Sequence, residues 1–342
     1  MRPITHTSAK QLVPIANKPI LFYAIDAVVA AGITDIGIII GDTGDEVRAA
    51  VGDGSRFGAE ITFIPQQAPL GLAHAVLTAR EYLAGEAFFM YLGDNLIRDG
   101  ITEFVDEFRR LGPDAEILLA HVTEPQRFGV AELRGGQVVR LEEKPSVPSS
   151  DLALVGVYLF GPAVFKAIDR IEYSARGELE ITDAIQRLID DGRRVVPHVI
   201  TGWWKDTGRL EDMLEANRII LDSLETTIDG DIREDVRLDG KVVVQKGAQL
   251  RHCTVRGPAI IGEGTLIEDA YIGPFTSVYY ECRVRRAEIE HSIVLARTTI
   301  EDVDARIESS LIGKECFVGG AERRPRGYKL MLGDHSRVEV RG

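Results

Sequence analysis

From about Asp229 onward, aliphatic residues return at an interval that neither a helix nor an alternating strand produces, and this spacing constrains the second part of the chain. Val244, Leu250, Val255, Ile261, Ile267, Ile272, Val278, Val284, Ile289, Val294, Ile300, Ile307, Ile312 and Val318 recur every five to seven residues, most often six. Several precede glycine, as in Ile261-Gly262, Ile272-Gly273 and Ile312-Gly313. Hexapeptide repeats of a parallel β-helix have this period: each coil stacks on the next, and the aliphatic row becomes one narrow core. A sandwich of short strands is the competing reading, weakened by the scarcity of hairpin turn pairs.

The first part of the chain reads differently. Met1 to Lys18 is polar and predicts no strand. Pro19 then opens a helix whose apolar residues Leu21, Phe22, Ile25, Val28 and Val29 recur at helical spacing. Strands are predicted at 36–40, 61–64, in the stretch 88–95, and at 116–122, 152–160 and 195–200, with helices at 45–51, 72–82, 101–111, 180–191 and 211–224 between or after them. Phe88-Phe89-Met90-Tyr91 has the unbroken apolar character of a strand buried on both faces. Val130–Leu133 and Val138–Leu141, joined by Arg134-Gly135-Gly136-Gln137, predict a hairpin. The alternation predicts an α/β domain with a Rossmann-like mixed, mostly parallel sheet. Three segments are therefore expected: residues 1–229, a β-helix over 230–319, and a terminal segment 320–342.

Bulk properties exclude several function classes. At 342 residues the chain exceeds one hydrophobic core. A net charge of −13 argues against nonspecific binding to nucleic acid or an anionic membrane, since both need a basic face. Cys253, Cys282 and Cys316 form no Cys-x-x-Cys pair, which argues against a disulfide scaffold or structural zinc. No signal peptide or bilayer-spanning run is evident, so a cytoplasmic protein is expected.

Asp94 and four further clusters carry residue types suited to chemistry. Asp94 closes the Phe88 strand, where ligands of open α/β sheets bind, and either caps a loop or holds a hydrated cation or sugar hydroxyl. Lys10 precedes the first helix and suits an anion or simple exposure. Gln66 offers the donor and acceptor that a pyrimidine edge needs, and Gly71 permits close approach to a flat ring; a plain turn is the bland alternative. Glu143 and Lys144, beside Pro145, suit sugar hydroxyls and a phosphate, or a surface ion pair. Asp206 follows two tryptophans in Trp203-Trp204-Lys205-Asp206 and can join Asp94 as a second hard oxygen ligand for Mg2+.

Taken in order, Lys10-Gln11-Leu12, Gln66 to Ala75, Leu92-Gly93-Asp94-Asn95, Glu142-Glu143-Lys144-Pro145, Arg176 to Asp183 and Lys205-Asp206-Thr207-Gly208 resemble the sugar-1-phosphate nucleotidylyltransferases. The resemblance is to the long, thymidylyl-transferring form with a left-handed β-helix, and it covers the whole chain, including Leu330 to Ser336. It implies attack of glucose 1-phosphate on the α-phosphorus of dTTP. It also implies Mg2+ on Asp94 and Asp206, thymine at Gln66 and Gly71, and nucleotide phosphates at Lys10. The glucosyl pocket would be lined by Gly129, Glu143 and Tyr158, with Lys144 on the sugar phosphate. A homo-oligomer is expected because such coils pack together.

The family's opening strand and Gly-Gly-x-Gly-Thr-Arg-Leu loop would stand directly before Arg2-Pro3, where this sequence begins. Without that strand the sheet is expected to show a central gap or open edges. Two readings follow: a start site further upstream, or a sugar-nucleotide-binding regulatory or scaffold protein with impaired catalysis. A UTP-using uridylyltransferase is a further alternative, as is acyl transfer through His252 or His291 on the coils.

Overall fold

The computed structural model describes residues 9–98 and 100–320, so the Arg2-Pro3 and Leu330 to Ser336 matches lie outside the described residues. Packing divides the chain differently from periodicity. Leu21–Asp206 form one unit, and the described residues before and after it form the other.

In the first unit, helices α1 (Ile20–Ala30), α2 (Gly44–Val51), α3 (Leu72–Thr78), α4 (Arg80–Leu83), α5 (Thr102–Leu111), α6 (Ala163–Ile168) and α7 (Ile181–Asp190) accompany ten strands, β3 to β12, and a short hairpin stands ahead of α1. That hairpin, β1 (Pro14–Ile15) and β2 (Lys18–Pro19), belongs to the other unit and corrects the strandless reading of the N-terminal stretch. Ala16 and Asn17 both have positive φ (46° and 60°), the tight turn that joins two strands too short to show alternation. The expected helix over 72–82 is broken at Ala79 into α3 and α4.

Strands β3 (Asp35–Ile40) and β4 (Glu60–Pro65) pair in parallel as a sheet of their own. The main sheet has the order β11 (Val195–Val199), β7 (Ala115–His121), β10 (Leu152–Phe160), β8 (Gly129–Arg134), β9 (Gln137–Glu143), with β5 (Phe88–Tyr91) also on β10. It is mixed, as expected, but its parallel pairing is confined to β11 and β7, and every ladder of β10 is antiparallel. Among the described residues no strand links β3–β4 to β5. The Phe88 strand is consequently half-buried along its length, not enclosed on both faces.

Alternation along β7 serves two cores. Ile117 and Leu119 face α6 and α7 with Phe160, Ile185 and Leu188, while Leu118 and Ala120 pack beneath α5 with Phe104 and Val105. The β8–β9 hairpin turns on Gly135 and Gly136, at φ 59° and 79°.

The second unit holds α8 (Leu210–Ser223) and seventeen short strands from β13 (Thr227–Ile228) to β29 (Phe317–Gly319). They build three all-parallel sheets, and Val242, Ala259 and Thr276 stack at steps of 17 residues. The aliphatic row from Val244 to Ile300 is wholly buried at every one of its positions, the core of a parallel β-helix. His252, Asp269, Arg286 and Asp302 turn one corner with positive φ, a conformation that costs roughly 1 kcal/mol or more per non-glycine residue. Coil stacking has to offset that cost.

Asn217 on α8 is fully buried and spends its amide on three partners. Its Oδ1 accepts from Ala16 N (2.8 Å) and Ser277 Oγ (2.9 Å), and its Nδ2 donates to Phe275 O (3.0 Å). Asn17 Nδ2 donates to Val278 O at 2.8 Å, so hairpin, helix and coil are fastened together at one level.

Candidate active site

Asp94 and Asp206 are far apart in sequence, and a short ladder unites them. Strand β6 (Asn95–Ile97) runs antiparallel to β12 (Trp204–Asp206), with Asn95 directly opposite Asp206. Asp94 precedes β6 in a turn at the carboxyl end of β5, so both carboxylates stand at the same end of this ladder. Asn95, almost wholly buried, directs the geometry. Its Nδ2 donates to Asp94 Oδ1 (3.3 Å), its Oδ1 accepts from Trp204 Nε1 (2.7 Å), and Tyr91 Oη donates to its carbonyl (3.3 Å). Burial, and secondarily the charge of Asp94, pushes the Tyr91 phenol well up, so Tyr91 remains a donor.

Gly156 on β10 makes room for this turn. Its φ is +83°, and a Cβ there would lie 2.8 Å from Leu92 and 2.9 Å from Asn95 Nδ2. Leu92 N donates to the Gly156 carbonyl at 3.0 Å. Any side chain would push the Asp94 turn away.

The same aromatic ring leads to the second cluster. Trp204 meets Phe128 edge to face at 5.4 Å, and the Phe128 carbonyl accepts from Lys144 N at 3.0 Å. Lys144 has φ +44°, a left-handed conformation that L-residues adopt at a cost of about 1–3 kcal/mol, typically where function repays it. Gly129 stands opposite Glu143 in the β8–β9 ladder. A Cβ on Gly129 would come within 3.0 Å of Thr182 Oγ1 and 3.1 Å of Glu143 Oε2. Glycine thereby permits Thr182 Oγ1 to donate to Glu143 Oε2 at 2.6 Å.

Arg176 gathers the remaining charge. Its guanidinium meets Glu180, Glu178 and Glu143 Oε1, while Lys144 Nζ lies 3.7 Å from the same Glu143 oxygen. Hydrogen bonds donated to the Glu180 carboxylate hold the Arg176 pKa above its usual range. Asp183, in the first turn of α7, is pushed up by burial and then by Glu180 and Glu143. Glu143 is thus held against the start of α7, where a negative charge is favoured.

Tyr158 is buried and stacks on Phe160 at 5.6 Å; burial and then Glu143 raise its phenol. Gln66 closes the β3–β4 pair through its backbone N on Ile40 O (2.8 Å), and its Nε2 meets His74 Nδ1 at 2.8 Å. Gly71, φ +105°, has a packing reason that the turn pattern did not reveal. A Cβ there would fall 2.4 Å from the Leu179 carbonyl, so it is the chain itself that makes the close approach. Lys10 opens a short 3-10 turn in the other unit. His252 pairs with Asp235 (2.7 Å), and His291 lies 3.4 Å from Ser309 Oγ, both at coil corners.

Asn95, Gly156, Thr182 and Arg176 support these clusters without having been singled out for it from sequence. Asn95 lies inside the Leu92 to Asn95 run, and the last two lie inside the Arg176 to Asp183 run, whose acidic density ahead of a helix was the available signal.

A sheet-edge carboxylate pair joined through Trp204 and Phe128 to a Glu143–Lys144 pair, followed by a β-helix, defines a class. The chain belongs to the nucleotidyl transferase family, whose model matches residues 1–223. At the level of individual proteins it is 55% identical to a glucose-1-phosphate thymidylyltransferase of Streptomyces griseus over 99% of this chain and 96% of that protein. It is 56% identical, with the same coverage, to a glucose-1-phosphate thymidylyltransferase of Streptomyces antibioticus. A Bacillus anthracis structure assigned as a glucose-1-phosphate thymidylyltransferase, solved in complex with sucrose, aligns with TM-score 0.62 and 33% identity over 67% of this chain and 92% of that one.

Proposed function

We propose that this chain transfers a thymidylyl group from dTTP to glucose 1-phosphate, giving dTDP-glucose and pyrophosphate. The observation that carries this reading is the β6–β12 ladder, which pairs Asn95 with Asp206 and so supports a shared role for the Asp94 turn and Asp206 at one strand end. Their donor set is two carboxylates, with Asp206 Oδ1 fully buried, and it suits a hard, oxygen-seeking cation such as Mg2+. Bound there, Mg2+ would neutralise charge on the nucleotide phosphates.

The chain's own residues position the reactants. Gln66, with Nε2 engaged by His74, presents its carbonyl oxygen to the N3–H of thymine. Glu143, fixed by Thr182, accepts from glucosyl hydroxyls, and Lys144 draws in the sugar phosphate. Lys10 serves the nucleotide phosphates. An oxygen of glucose 1-phosphate forms the new bond to the α-phosphorus as the bond to the pyrophosphate oxygen breaks; no covalent enzyme intermediate is needed. Thymine and uracil differ by one methyl group, worth about 1–3 kcal/mol, and UTP also carries a ribose 2′-hydroxyl that dTTP lacks, so UTP is expected to serve less well.

The test is pyrophosphate release with glucose 1-phosphate, Mg2+ and either dTTP or UTP. Turnover faster with dTTP supports the reading. Tight binding of dTDP-glucose without any turnover would replace it with a sugar-nucleotide-binding protein.

A further inference from the structure

Away from the candidate active site, one buried charge has no role in nucleotidyl transfer. Glu116 on β7 points to the face covered by α5, among Leu118, Leu159 and Phe104, where alternation calls for an apolar residue. It is 0% exposed, and neither carboxylate oxygen accepts a hydrogen bond. An ionised carboxylate left in that state costs several kcal/mol, so something must neutralise it.

Two further side chains face it. His198, on the neighbouring strand β11, places Nδ1 2.7 Å from Glu107 Oε2 and 4.0 Å from Glu116 Oε1. Glu107 projects from α5, and the ring of Phe104 packs edge-on against the His198 imidazole at 5.6 Å. One donor atom from each of the three residues lies within 4.8 Å of the others. Tetrahedral zinc, with bonds of about 2.0–2.2 Å to nitrogen and oxygen, needs donors about 3.3 Å apart, which small side-chain rotations provide. Glu107 and His198 are 28% and 21% exposed, enough to admit an ion and leave a position for water. Among the described residues the cation nearest this group is Arg110, whose Nη2 lies 3.6 Å from the other Glu107 oxygen and whose side chain is largely exposed.

We propose that Glu107, Glu116 and His198 form a binding site for a zinc-class divalent cation that fastens edge strand β11 to helix α5. One imidazole and two carboxylates are a borderline donor set that suits Zn2+ better than Mg2+. The ion would cancel both carboxylate charges. In its absence, burial and then the Glu107 charge hold the Glu116 carboxyl protonated, with its pKa pushed up to about 8.

The experiment is competition between the chelator-stripped full chain and a chromophoric zinc chelator, with wild type beside Glu116→Gln and His198→Gln. Wild type should take up one more equivalent of Zn2+, at least tenfold more tightly than either variant, and melt at a higher temperature with Zn2+ but not with Mg2+. The glutamine at 116 keeps the shape of the protonated acid, so that variant should fold. Equal stoichiometry and affinity in wild type and variants would overturn the proposal, leaving zinc only at surface pairs such as His252–Asp235. A crystal of wild type soaked in Zn2+ needs no variant: an anomalous peak among the three residues supports the site, and its absence there refutes it.

Discussion

The coil unit and the sheet unit solve the problem of placing residues in opposite ways. In the coils each strand's neighbours lie one turn away, so Val244, Ile261 and Val278 stack because 17 residues make a circuit. In the sheet unit Asn95, the neighbour of Asp94, pairs with Asp206 through a ladder between distant segments, and Glu143 meets Thr182 across β8, β9 and α7. Repetition provides a core that tolerates local change, and long-range assembly provides a site that does not. The first arrangement stores stability, and the second stores position.

The sharpest way to break this comparison is to remove chemistry without touching packing. Asp94→Asn and Asp206→Asn should each lower kcat by on the order of 10²–10³ with an unchanged melting temperature. A loss of less than tenfold in steady-state pyrophosphate release would remove the pair from the reaction. Next in size is the converse. Ile267→Ala, in a fully buried mid-stack position, should cost about 2–5 kcal/mol in denaturant unfolding. The same change at the partly buried Ile312, near the end of the row, should cost about 1–2 kcal/mol. Equal costs would mean that the coils do not share one graded core.

Asn217→Ala sharpens the account of the anchor. It strands Ala16 N–H, Ser277 Oγ and Phe275 O, and should destabilise the chain by about 1–3 kcal/mol. Hydrogen exchange should report the loss first at the β1–β2 hairpin, and unchanged protection there would rule the anchor out. The smallest expected effect is Thr182→Val, which leaves Glu143 without its 2.6 Å donor. We expect about a fivefold rise in KM for glucose 1-phosphate with kcat little altered; a pure kcat effect would place Thr182 in the chemical step instead.

The same contrast explains what could be read from residues alone. The aliphatic row was legible because its period is local, and every position from Val244 to Ile300 is fully buried. Asp94 was legible as a strand-end carboxylate, and the β8–β9 hairpin through its two glycines. Gly156 was not, because its need for glycine comes from Leu92 and Asn95, more than sixty residues earlier. Gly71 was read for its space, but the occupant of that space, the Leu179 backbone, lies over a hundred residues downstream. The β1–β2 hairpin escaped because two-residue strands have no alternation to detect. The half-exposure of Phe88 to Tyr91 reflects which neighbours the sheet provides, a property that four apolar letters do not encode.

The coil register has a consequence for how such chains change over generations. Every rung pairs in parallel with its predecessor, and α8 and the hairpin hydrogen-bond at the level of Phe275 to Val278 and pack on Ile260 and Val243 of the preceding levels. Duplication of a whole circuit beyond that level would lengthen the stack and leave the anchorage intact. An insertion of half a circuit would turn the apolar row outward. The stack therefore behaves as a ruler divided into circuits, and descendants of this sequence should differ in length by whole coils.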